Sequence, residues 1–244
     1  MFQGPYNTPR PLGSAPFAAV FWPLLAPILF VNIIVLAARV AAFDWAFGPV
    51  DEGGSLRVQW TILLVAHASL FAAMSLWSER VGAGPFAGSL LLDGDWLAIS
   101  ALTGPVVLLG TTLLTGLLVG GDDPNWMFRE APVLDLLGPG AIGLSMVAAA
   151  VFVIPIAEEI AFRGVALGFL LSRGLPPLVA GLVTAAVFAA THQQYNLFGM
   201  LPIFIMGLYL AWLRVVTGSI AAPIIAHMAA NGVSTAIFIG ANPA

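Results

Sequence analysis

Cysteine and lysine are both absent from the 244 residues, and charged side chains of every kind make up only 8% of them. Without cysteine there is no disulfide, no zinc–thiolate site and no thiol nucleophile. Soluble domains carry roughly a quarter charged residues, so this chain does not cover a water-facing surface. Eight arginines against twelve acidic residues give a net charge of −4. With no basic run, the electrostatic footprint of a nucleic-acid-binding protein is missing. What is present is 60% hydrophobic, with a mean hydropathy of +0.99. Lipid must be much of its solvent.

A spanning helix needs about 20 mostly apolar residues. Segments 17–42, 58–78, 96–119, 177–191, 198–213 and 219–239 read as such helices or close to it. Segment 138–172 is also apolar but interrupted by Glu158, Glu159 and Arg163. As one helix it would be roughly 50 Å long, too long for a hydrocarbon core of about 30 Å. It therefore either tilts and protrudes or is divided at Pro155. The expected fold is all-α, a polytopic transmembrane bundle of seven or eight helices. Residues 1–16, rich in proline, glycine and polar groups, read as a flexible tail before a single transmembrane domain, 17–244. The polar segment 120–137 reads as a solvated or interfacial loop. Arginine placement favours a cytoplasmic N-terminus, and the expected location is the plasma (inner) membrane, crossed several times. His67, Asn32 and Gln59 read as packing or interfacial residues.

Charged groups at bilayer depth cost several kcal/mol and usually face the bundle interior, where they mark function. Three polar clusters break the later apolar segments: Glu158-Glu159-Ile160-Ala161-Phe162-Arg163, then Phe188-Ala189-Ala190-Thr191-His192, then His227-Met228-Ala229-Ala230-Asn231. Helical residues four apart share a face. Glu159 is thus expected to pair with Arg163, and His227 to share a face with Asn231. Glu158 is turned by about 100° from Glu159 and need not compete for that arginine. Two carboxylates in such different surroundings hold protons differently, which acid–base chemistry requires. A tight turn at 173–176 places Glu158 and His192 each about 21 Å along antiparallel helices from the same end. His227 reaches that level only if the hairpin extends past the start of its own helix.

Taken in order on successive apolar helices, EExxxR, FxxxH and HxxxN resemble the CAAX-protease and bacteriocin-processing (CPBP) family, also called the type II CAAX prenyl endopeptidase family. The resemblance covers about residues 138–240, the expected catalytic core; segment 17–119 would be accessory. It implies that Glu158 activates water, that His192 helps to hold that water, and that His227 and Asn231 stabilise the oxyanion. Glu159 and Arg163 would orient the first glutamate or bind substrate. The substrate would be a membrane-associated, prenylated or secreted peptide or protein near the bilayer.

The chemistry stands without the name. Amide hydrolysis needs an activated water and donors aimed at the developing oxyanion. Neutral His and Asn supply donors at less desolvation cost than a charge. Other readings use the same residues. Glu159 with Arg163 can be a purely structural ion pair, Asn231 an interhelical hydrogen-bonding residue, and Phe188 a packing residue that positions the turn of His192. One Glu and two His also suit an open zinc site, although no HExxH helix is present. A metal-free protease is the leading expectation, with no cofactor. Its rivals are the zinc-dependent version, a non-catalytic bacteriocin-immunity or binding protein, and a proton-coupled transporter. The sequence carries no sign of oligomeric state.

Overall fold

The structure is a computed structural model that describes residues 88–120, 147–192 and 195–241, together with Ser69, Ala72, Leu76 and Glu79. The expected tail, the first span, most of the second and the loop 121–137 lie outside the described residues. What is described is all-helical. Helix α1 is Gly94–Thr115, continued by a π-helical turn, Gly116–Gly120. A helical run over 147–172 then contains α2, Ile154–Glu159, and α3, Leu167–Ser172. It is followed by α4, Pro177–Thr191, α5, Met200–Thr217, and α6, Ala221–Ala241.

The chain is an integral membrane protein. Gly94–Val119, Met200–Thr217 and Ala221–Gly240 are long and apolar enough to cross a bilayer, and Pro177–Thr191 is a shorter apolar helix. The distribution of side chains agrees with that reading. Leu102, Val106, Leu117, Leu178 and Ile237 are exposed, whereas Glu158, Glu159, Arg163, Arg214 and His227 are buried. These apolar groups face outward and these ionisable groups inward, as a lipid-solvated bundle requires.

Pro155 does not split the run 147–172. It sits at the second residue of α2, directly after a π-helical stretch, Ala149–Val153, and a second one, Ile160–Ala166, follows α2. In the first stretch the Ile154 N–H reaches back five residues to the Ala149 carbonyl. The wider turn takes up the proline where a regular α-helix would kink. Glu158 and Glu159 therefore lie between two π-helical stretches, a local geometry often found at functional sites.

The expected hairpin at 173–176 is present. Gly174 has φ +85°, and its N–H bonds the Leu171 carbonyl at 3.0 Å while the Leu175 N–H bonds that of Leu170 at 3.1 Å. This pair of bonds is a Schellman motif, and Pro177 at the first turn of α4 completes the stop-and-restart. Helix α5 ends likewise on Gly218, φ +65°. Helix α1 packs on α5 and α6, and α4 packs on α5. At Gly104 there is no room for a Cβ, which would overlap the Ala226 carbonyl of α6. Before α1, Ser89 bridges to the α5–α6 junction, where its carbonyl accepts from Ile220 N–H at 2.8 Å and from Ser219 Oγ at 3.1 Å.

Candidate active site

The polar groups of the first and third clusters meet in the bundle interior. Arg163 Nη1 donates to Glu159 Oε1 at 2.8 Å, the pairing expected from their four-residue spacing. Both side chains are fully buried. The other end of the guanidinium donates from Nη2 to the Gly207 carbonyl of α5 at 3.0 Å. That approach depends on a residue without a side chain. A Cβ at 207 would sit 3.1 Å from the Ala185 Cβ of α4 and 3.4 Å from Arg163 Nη2. The arginine thus ties the carboxylate of one helical segment to the backbone of another.

Glu159 Oε1 accepts a second bond, from His227 Nδ1 at 2.8 Å. With Nδ1 donating, the other ring nitrogen faces the first glutamate: His227 Nε2 lies 3.8 Å from Glu158 Oε2. The imidazole is held between two carboxylates, one bonded directly and one at a charge-pairing distance. His227 thereby reaches the level of the glutamates, although it begins only six residues into α6.

His192 lies one residue past the end of α4, at its C-cap. Its Nδ1 is 2.9 Å from the Phe188 carbonyl. A carbonyl only accepts, so Nδ1 carries the proton and Nε2 is the basic nitrogen. Both histidines are therefore pinned through Nδ1, one by a backbone carbonyl and one by a carboxylate. The Thr191 hydroxyl donates back to the same Phe188 carbonyl at 2.7 Å, as a capping rather than a nucleophilic group.

Phe188 connects the clusters. It is fully buried, and its ring lies 4.7 Å from that of His192, 5.8 Å from that of His227 and 5.2 Å from that of Phe162, edge to face in each case. The Arg163 guanidinium carbon sits 4.5 Å from its centroid, a cation–π distance. The sequence marks Phe188 only as a packing residue beside His192. Its contacts with His227 and Arg163 come from helices remote in sequence and leave no local trace.

Tyr195 is a further neighbour that spacing does not single out. In the connection between α4 and α5, its ring stacks over His192 at 6.3 Å and its N–H bonds the His192 carbonyl at 3.1 Å. Burial pushes its phenol above the usual tyrosine range, and the negative charge of Glu158 pushes in the same direction. Tyr195 is thus close enough to Glu158 to feel its charge. Asn231 makes an interhelical hydrogen bond, one of the two readings its sequence allows. Its Nδ2 donates to the Ala150 carbonyl at 2.9 Å. Among the described residues, no three His, Asp or Glu side chains are grouped as a set of metal ligands.

Comparison with known proteins agrees with the motifs. Residues 140–233 match the family described as Type II CAAX prenyl endopeptidase Rce1-like. Over 79 residues the chain is 35% identical to an uncharacterized 24.3 kDa protein of Escherichia coli, an alignment covering 32% of this chain. It spans 36% of that relative's own length. No solved structure matches the chain.

Proposed function

We propose, from the family match over residues 140–233 and the site it contains, that this chain is an intramembrane CAAX-type endopeptidase acting through a glutamate-activated water. Its substrate class is a membrane-associated peptide, prenylated near its C-terminus. The observation that carries the reading is the meeting of Glu158, Glu159 and His227, with His227 Nδ1 2.8 Å from one carboxylate and Nε2 3.8 Å from the other.

In this mechanism Glu158 takes a proton from water as the water oxygen bonds to the scissile carbonyl carbon. The carbonyl electron pair moves onto oxygen, and His227 donates to that oxyanion from Nε2–H. Collapse of the tetrahedral intermediate breaks the C–N bond, and the leaving nitrogen takes the proton from Glu158. His192, with Nδ1 held by the Phe188 carbonyl, accepts a hydrogen bond from the water at Nε2.

Because Nδ1 already donates to Glu159, the Nε2–H donor that this mechanism requires belongs to an imidazolium lying beside Glu158. Glu159 serves as the group that orients His227, with Arg163 holding Glu159 in turn.

Cleavage is measured with the full chain in lipid bicelles, using an internally quenched peptide that carries a farnesylated cysteine three residues from its C-terminus. Glu158→Gln keeps the shape of the side chain and removes the base. Turnover is expected to fall by at least about 100-fold, the scale of general base catalysis, while the protein stays folded in the bicelles. Full turnover by this variant removes the proposed mechanism. Equal turnover of an unprenylated peptide removes the substrate class.

A further inference from the structure

Pro155 leaves a gap in the backbone hydrogen-bond ladder just before the glutamates. At the end of the π-helical stretch Ala149–Val153 the Ile154 N–H reaches back five residues to the Ala149 carbonyl. The next bond in that register would run from residue 155 to the Ala150 carbonyl. Proline has no N–H, so this carbonyl loses its backbone donor inside a bundle where an unsatisfied polar group is costly. The Asn231 amide of α6 fills the place, with Nδ2 2.9 Å from that oxygen. Around it α6 lies close to the same stretch, since a Cβ on Gly232 would sit 3.6 Å from Val151 Cγ1.

We infer that Asn231 is a positioning residue that supplies to the Ala150 carbonyl the hydrogen missing from Pro155, and so fixes α6 against the segment carrying Glu158 and Glu159. Asn231 lies one helical turn beyond His227 on α6, and Ala150 two turns before Glu158. The Asn231–Ala150 bond sets the register of the two helices whose side chains meet at the His227–Glu159 contact. The bond uses one of the two Asn231 amide hydrogens, so it stands beside the oxyanion role that the resemblance implies. The inference rests on the proposed protease reading only for its effect on turnover, since the backbone argument is independent of any reaction.

A double-mutant cycle tests it. Alanine at position 155 restores a backbone N–H, so the Ala150 carbonyl no longer depends on Asn231. Melting temperature in bicelles and cleavage of the farnesylated quenched peptide are measured for Asn231→Ala, Pro155→Ala and the double variant. Asn231→Ala is expected to lower the melting temperature and to reduce kcat by about 10–100-fold with little change in KM, as for a slight misplacement of reacting groups. In the Pro155→Ala background the same substitution is expected to leave the melting temperature nearly unchanged and to recover most of kcat. If Asn231→Ala does not fold alone, Asn231→Ser replaces it in both backgrounds. Equal losses in the two backgrounds, or a kcat loss with no change in melting temperature, overturn the inference. If no variant or wild type cleaves the peptide, the protease reading fails while the melting temperatures still decide the role of Asn231.

Discussion

Arg163 shows what a single buried charge does here. It is fully buried, bonded to Glu159 and to the Gly207 carbonyl, and lies over the Phe188 ring. Arg163→Ala strips the counter-charge from Glu159 and is expected to destabilise the fold by about 3–5 kcal/mol, the cost of orphaning one partner of a buried pair. Thermal unfolding in bicelles measures it. Arg163→Met combined with Glu159→Leu is expected to recover much of that stability without recovering turnover, because His227 then has no carboxylate at Nδ1. A stable, fully active double variant would show that Glu159 does not orient the histidine. The Glu159–Arg163 bond is legible from four-residue spacing alone. The His227–Glu159 bond joins residues 68 apart in sequence, and no local pattern encodes it. The Asn231–Ala150 bond joins residues 81 apart, so the four-residue spacing from His227 says nothing of it.

At the level of helices, prolines and glycines carry most of the legible information. The limits 177–191 and the turn at 173–176 follow from Gly174, Pro176 and Pro177, and the structure reproduces both. The π-helical stretches flanking Glu158 and Glu159 do not follow, since side-chain periodicity says little about whether an N–H reaches back four residues or five. Close helix approach is equally silent in sequence until the partner is known. Gly104 faces the Ala226 backbone with no room for a Cβ. Gly104→Ala is therefore expected to wedge α1 from α6 and to destabilise by about 1–3 kcal/mol, the usual range for overpacking. Its melting temperature should fall clearly below that of Gly110→Ala, where a Cβ meets open space. Equal values for the two would mean that α1 and α6 do not touch at this point.

For the whole molecule, composition alone identifies lipid as solvent, and the outward-facing leucines and valines bear this out. The count of seven or eight spans rests partly on segments outside the described residues. The absence of native cysteine makes a direct test simple, because any introduced thiol is the sole labelling site. A nitroxide at Leu102→Cys or Ile237→Cys, both exposed and apolar, is expected to collide more often with oxygen dissolved in lipid than with an aqueous nickel chelate. The opposite ranking at both positions would place these faces in water. Arg214 of α5, by contrast, is fully buried, so a label there should be screened from both reagents.

Phe188 touches two imidazoles and a guanidinium from the end of one short helix. Reshaping that one apolar ring would loosen all three polar groups together, so a single hydrophobic side chain keys the alignment of the whole cluster.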